Sequence, residues 1–267
     1  MYNVYLLKSD ALTAVSVDDE AYDKGELEIS EIDGTDYYLV KIDLSAKESL
    51  RDIPLVLTLA MDGKTVKYSA TLGIVKYAGL ILDGEHSAEE KTLVRDMLSY
   101  ARAAYAHFGT SDEAKIASVD AILGEDYDEV NEPDMNKTAF KPAENRGFDD
   151  VTVNLGATPS FRFYLSEGYT ADDFEFTLGG RSVAVKTGLS EEGDYLEIVA
   201  YAYRLCDTVS YTVTVDGNEY TENFNIYSYY EYVLEKHSTD TALITLVERI
   251  CKYSESAESY RAYVVGE

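Results

Sequence analysis

Two runs of strict alternation give the first structural signal in this chain. Leu55, Leu57, Leu59 and Met61 alternate with Thr58 and Ala60, while Val209, Tyr211, Val213 and Val215 alternate with Thr208, Ser210, Thr212 and Thr214. A period of two puts one set of side chains on a core face and the other toward solvent, so both runs predict half-buried β-strands. Each is followed by an Asp-Gly pair, Asp62-Gly63 and Asp216-Gly217, which suits the positive φ angles of a tight hairpin turn. The period then becomes helical. Ile74, Tyr77, Ile81 and Leu82 form one stripe, and Leu93, Val94, Met97, Leu98, Ala101, Ala104, Tyr105 and Phe108 form the next, stopped by Gly109. Between them Ser87 and Glu90 have the spacing of a capping box. Later stripes follow at Ile226, Tyr229, Tyr230 and Val233, and at Leu243, Leu246, Val247, Ile250, Cys251, Ser254 and Ala257.

The order of these elements repeats. YNVYL at 2–6 is echoed by FRFYL at 161–165, and Leu93, Met97, Tyr100 and Ala104 return as Leu246, Ile250, Tyr253 and Ala257 at a constant offset of 153. The pattern predicts an α+β chain: two tandem copies of an antiparallel β-sandwich-like unit, each closed by a C-terminal helical hairpin whose apolar face lies on the sheet of its own copy. The first module spans 1–124, the second 149–267. VTVNLG, from Val151, opens the second copy and has no counterpart in the first. Either the chain begins inside its first unit or that unit is built without the strand, and an exposed sheet edge there invites pairing with another chain.

Residues 125–148 are aperiodic and acidic and read as a linker; before them Ser111 is placed to cap a short helix through Ile116, Val119 and Leu123. Asp126, Asp128, Asn131 and Asp134 crowd oxygen donors together, but an EF-hand loop counted from Asp126 needs Gly and Glu where Asn131 and Lys137 stand, so a solvated linker is the better reading.

Charge narrows the partners. Fifty Asp and Glu against 23 Lys and Arg leave a net −27, which disfavours nucleic acid and anionic membrane surfaces. No stretch is long and apolar enough for membrane insertion, and Met1 runs straight into an apolar strand pattern without a signal peptide. Cys206 and Cys251 are too few for a disulfide framework and read as small buried hydrophobes, with a single bridge as the rival.

The catalytic search returns no motif. His86, His107 and His237 fall at helix edges without metal-ligand spacing, no nucleophile elbow or phosphate loop is present, and no cofactor or metal is expected. Acid pairs such as Asp18-Asp19, Asp172-Asp173 and Glu191-Glu192 carry no weight among 50 acids. Tyrosine is the anomaly, at 24 with no Trp. Flat aromatic rings stack on sugars, but Tyr195, Tyr201 and Tyr203 align with Tyr38, Leu44 and Ala46, on the face of Val40 and Ile42, and so read as core. Tyr227 and Tyr232 fall off the buried stripe of their helix and are the candidate ligand-binding residues.

YLVKIDLSAKESLRDIPLVLTL, IVKYAGLIL and LVRDMLSYARAAYAHF, answered by YLEIVAYAYRLCDTVSYTVTVDG and LVERICKYSESAESYRAYV, resemble a tandem accessory module at the ends of long secreted or surface proteins of anaerobic Gram-positive gut bacteria. The likeness spans nearly the whole chain. It implies an extracellular or cell-surface location, a signal peptide outside this chain, other domains of a larger parent chain, and no established activity. The function expected is therefore non-catalytic: adhesion, substrate targeting or spacing, with a polysaccharide or a surface protein as partner. A hydrolase of unrecognised type, with a carboxylate-based site, is the alternative.

Overall fold

A computed structural model describes residues 2–109, 112–124, 127–130, 133–134 and 146–266. The chain is α+β with antiparallel sheets. In the first half, β1 (Tyr2–Leu7), β2 (Leu12–Val17) and β3 (Glu20–Asp23) precede α1 (Lys24–Ile29), β4 (Tyr37–Ile42), β5 (Ile53–Met61) and β6 (Lys64–Leu72). The helices α2 (Ile74–Asp83), α3 (Ala88–His107), α4 (Glu113–Leu123) and α5 (Tyr127–Val130) follow. In the second half come β7 (Phe148–Asn154), β8 (Ser160–Leu165), β9 (Phe174–Leu178), β10 (Arg181–Ser182), β11 (Lys186–Ser190), β12 (Gly193–Val199), β13 (Val209–Val215) and β14 (Asn218–Phe224). α6 (Ile226–Lys236) and α7 (Thr241–Val265) close the chain.

Four sheets result, in the orders β1-β4, β3-β2-β5-β6, β11-β12-β8-β7 and β10-β9-β13-β14. The hairpins β5–β6 and β13–β14 turn on the expected Asp-Gly pairs, with positive φ at Asp62, Gly63, Asp216 and Gly217. Alternation holds at Leu55, which is buried, but Met61 at the tip of β5 is exposed because the hairpin outruns its core.

The long helices behave differently from the expectation. The hairpin α2–α3 packs with Leu50 and Val119 into its own cluster, apart from the sheet core of Leu12, Val15, Val40 and Ile42. The opposite flank of α3, where Ala103 and Ala104 allow close approach, lies against α7. A 20-residue helix that is apolar on two flanks can serve two neighbours, and the periodic pattern does not say which. In the first half only the short α1 joins the sheet core, through Leu27, whereas in the second half the long helices do, with Ile226, Val233, Val247 and Ile250 joined to Phe161, Phe163 and Phe176.

Three local expectations are corrected. Phe148, placed in the linker, is the first residue of β7 and is buried; a register shift between Phe148 and Asp150 turns both Phe148 and Val151 inward and hides the alternation. The cap of α4 is Asp112, whose carboxylate accepts from the Lys115 amide at 3.1 Å, while Ser111 lies outside the described residues. At α3 only half of the capping box forms: Ser87 Oγ accepts from the Glu90 amide at 3.1 Å, but the Glu90 carboxylate turns to His86 Nδ1 at 3.0 Å.

Candidate functional site

The contact between α3 and α7 is where the two halves meet, and an apolar groove opens beside it. At its centre Tyr100 and Tyr253 stack, with ring centroids 5.7 Å apart and planes 7° from parallel. On one side of this stack Ala46, Ala103, Ala104 and Leu246 form a small buried cluster closed by Leu155, whose carbonyl accepts from the Ala46 amide at 3.0 Å. On the other side lies a groove of about 370 Å³, floored by Leu93, Ala202 and Ala257 and walled by Tyr203, Tyr260 and Arg261. The Arg261 guanidinium sits 4.9 Å from the centre of the Tyr203 ring, a cation–π contact. Tyr201 lies parallel to Tyr203 at 6.0 Å, and Tyr260 stacks on Tyr263 at 6.4 Å. Tyr201 and Tyr263, each stacked on a tyrosine that lines the groove, are 56% exposed, so aromatic side chains reach solvent next to it.

A second cleft of about 270 Å³ lies beside Leu155, between His107 at the end of α3, Arg162 on β8 and Tyr229 on α6. Its polar wall is charge-balanced. Glu197 accepts from Ser160 Oγ at 2.7 Å, Arg162 Nε at 3.0 Å and Asn154 Nδ2 at 3.3 Å. Burial alone would raise the Glu197 carboxyl, but these donors outweigh it and hold the carboxyl below its ordinary value.

Buried ionisable groups lock the joint. Asp96 on α3, almost fully enclosed, accepts from Ser256 Oγ on α7 and from the Tyr127 hydroxyl at 2.8 Å. Burial raises its carboxyl above the ordinary value despite those donors. Beside it Asp128 on α5 accepts from Ser99 and Arg102, and the Arg249 Nη1 of α7 donates to its backbone carbonyl at 3.2 Å. Arg102 also reaches Asp120 on α4. Part of the segment read as a linker is thus a strap pinned to both long helices. Asp128 is committed to guanidinium groups rather than free for a cation, the Asp134 amide donates to the Glu255 carboxylate at 2.9 Å, and Asp126 and Asn131 lie outside the described residues. Among the described residues no cluster of potential metal ligands occurs.

The tyrosines chosen from the sequence fare unequally. Tyr227 is overturned as an exposed platform. It is 1% exposed, its hydroxyl donates to Glu255 at 2.7 Å and accepts from the Cys206 thiol at 3.3 Å, and burial with those neighbours pushes its hydroxyl far up. The apolar stripe of α6 is wider than four residues, because sheets and α7 enclose it from two sides. Tyr232 is half-buried and stacked on Tyr229 at 6.2 Å, and burial, with the Asp150 charge nearby, raises its hydroxyl. Of the two tyrosines read as core, Tyr203 lines the groove and Tyr201, stacked on it, is exposed. Leu196, Ile198 and Ala200 are the inward set of β12 and its extension, so Tyr195 and Tyr201 alternate outward. The alignment that buried them was one residue out of step, and such a slip reverses every side chain of a strand.

His86 and His237 stand at helix ends, as expected. Cys206 and Cys251 are free thiols, which sets the bridge aside. The tyrosines of α7, Tyr253, Tyr260 and Tyr263, were passed over although they recur at helical spacing on the last helix. No family model, curated protein or solved structure matches this chain.

Proposed function

We propose that this chain is a non-catalytic accessory module of a larger extracellular protein, built as two copies of one sandwich-like unit and binding its partner through the groove at their joint. Matching strand registers support the two-copy reading. Tyr5 stands opposite Leu39 in the first half and Tyr164 opposite Tyr195 in the second, with β1 and β8 offset by 159 and β4 and β12 by 156. The order β3-β2-β5-β6 likewise parallels β10-β9-β13-β14. In the second half, side chains from both four-stranded sheets share one aromatic core, which supports sandwich packing.

The observation that carries the binding role is the groove itself: an apolar floor with tyrosine rims and one guanidinium, contributed by both halves. Two carboxylates facing each other across a cleft would favour a hydrolase; this groove offers aromatic faces. Adhesion and substrate targeting are roles such a surface can serve, and the exposed rings of Tyr201 and Tyr263 favour a polysaccharide as one class of partner. The cell-surface location rests on the resemblance of the sequence.

The test is binding of the full chain to plant, mucin and bacterial cell-wall polysaccharides, with Tyr201→Ala and Tyr263→Ala alongside. The expected result is saturable binding weakened at least tenfold in one variant, with an unchanged melting temperature, since exposed side chains contribute about 0.5 kcal/mol or less to stability. Release of reducing ends from any of these polymers would overturn the non-catalytic reading.

A further inference from the structure

The two sides of the α3–α7 joint are alike in residues and unlike in occupancy. Under the two-copy reading, Tyr100 and Tyr253 are equivalent positions, 153 apart, so exchanging the halves maps their stack onto itself. The same exchange carries Ala46, Ala104 and Leu246 onto Ala202, Ala257 and Leu93. The first set is the cluster closed by Leu155; the second is the floor of the groove. The turns holding the two alanines match bond for bond. Glu48 N donates to Ser45 O at 3.0 Å and Arg204 N to Tyr201 O at 2.7 Å; Ser49 N donates to Ala46 O at 3.2 Å and Leu205 N to Ala202 O at 3.4 Å. One bond breaks the match: the Ala46 amide donates to Leu155 O, while the Ala202 amide has no acceptor among the described residues.

Leu155 directly follows β7, the strand that covers the outer edge of β8. Its equivalent, β1, is paired by β4 on one side, and among the described residues no strand pairs its other edge. β1 reads YNVYLL and carries no charge, whereas β6 shows Lys64 and Lys67, β14 Glu219 and Glu222, and β7 Asp149 and Asp150. Charges on an edge strand are the usual guard against pairing, and β1 has none. Tyr5 is 57% exposed where its equivalent Tyr164 is 7%. By the two-copy correspondence, the open edge, the groove and the Ala202 amide are the equivalents of the edge, cluster and amide that β7 and Leu155 satisfy in the second half.

We propose that β1 and the groove together form one seat for an extended segment of a partner polypeptide. The segment adds as an antiparallel strand to the outer edge of β1, in the alternating pattern of β7. The apolar residue after it enters the space over Leu93, Ala202 and Ala257, and the carbonyl of that residue accepts from the Ala202 amide. A row of backbone donors and acceptors is matched by another backbone, which is why a peptide fits this seat better than a sugar. This inference rests on the binding-module reading and names its partner.

The test titrates a labelled peptide of residues 148–156, FDDVTVNLG, into the full chain. One-to-one saturable binding is expected, lost when the peptide carries Leu155→Asp. Ala202→Pro removes the amide donor at the first position of its turn, and Tyr201 already holds the extended ψ of 157° that a following proline requires. This variant should melt as the parent does and bind about tenfold more weakly, the loss expected for one hydrogen bond. Equal binding of a scrambled peptide, or an unchanged affinity in Ala202→Pro, overturns the proposal. If the peptide fails while a polysaccharide binds in a Tyr201-dependent way, the strand seat falls and the binding module stands; if neither binds, both fall.

Discussion

The first and second halves of this molecule each hold a four-stranded antiparallel sheet, in the orders β3-β2-β5-β6 and β10-β9-β13-β14, on cores of different size. Where the second half places Phe163, Phe174, Phe176 and Tyr211 in its sheets, the register puts Val4, Leu12, Val15 and Leu57 in the first. The large rings form a continuous network, with Phe163 within 6 Å of Phe148, Phe176, Tyr211 and Phe224, and that network runs on into α6 and α7. Shorter aliphatic chains fill only the space between their own strands, so the first half has one core under its sheets and another among its helices. Strand order is therefore set by pattern and turns, whereas core continuity is set by side-chain volume.

The largest effect that would test this contrast is a pair of truncations. Phe163→Ala should cost about 3–5 kcal/mol, as full burial of an aromatic ring implies, while Val4→Ala at the equivalent, half-buried position should cost about 1 kcal/mol. Urea midpoints at constant m-value read both, and equal losses would break the comparison.

The second test concerns the joint. Asp96 has a raised carboxyl because burial disfavours its charge, so the folded state holds that proton more tightly than the unfolded state does. As pH rises from the ordinary value of 3.8 through the raised folded value, this group withdraws stability; below 3.8 the penalty is absent. Asp96→Asn keeps one acceptor oxygen, presents an NH2 donor to the other hydroxyl, and does not titrate. The variant should gain stability relative to the parent on going from pH 4 to pH 7, by urea unfolding at each pH. Parallel curves would show that Asp96 is not held as a buried acid.

The smallest effect is chemical rather than energetic. Cys251 lies in the merged core of the second half, where burial pushes its thiol well up, and Cys206 is tied to Tyr227. Native protein should react with a thiol reagent slowly and at Cys206, and both thiols should react at once in urea. Phe163→Ala should speed the native labelling of Cys251 and Val4→Ala should not, which ties the thiol to one core only.

Most of the elements were legible in the chain. The β5–β6 and β13–β14 hairpins and the helical stripes followed from periods of 2 and 3.6 and from Asp-Gly turns, and these signals are local. Failures came where a signal depended on register or on a neighbour. The inward turn of Phe148 was masked by a bulge, and a one-residue misalignment sent Tyr201 and Tyr203 inward on paper. Tyr227 looked free because its helix was given one buried face when the fold encloses two. The groove was missed for a related reason: its residues come from α3, the turn after β12 and α7, which no sequence window contains.

By itself, then, the sequence determined that strands precede long helices in an α+β chain, where the main hairpins turn, and that the chain is strongly acidic. Tertiary structure alone decided that α3 of the first half lies on α7 of the second, that Leu155 closes one side of that joint, and that among the described residues no strand covers the outer edge of β1. The division has a physical cause. Periodicity records that a face must be buried, because apolar side chains leave water wherever they can, but it does not record against what. The partner is chosen by side-chain volume and by the close approach that Ala103 and Ala104 permit.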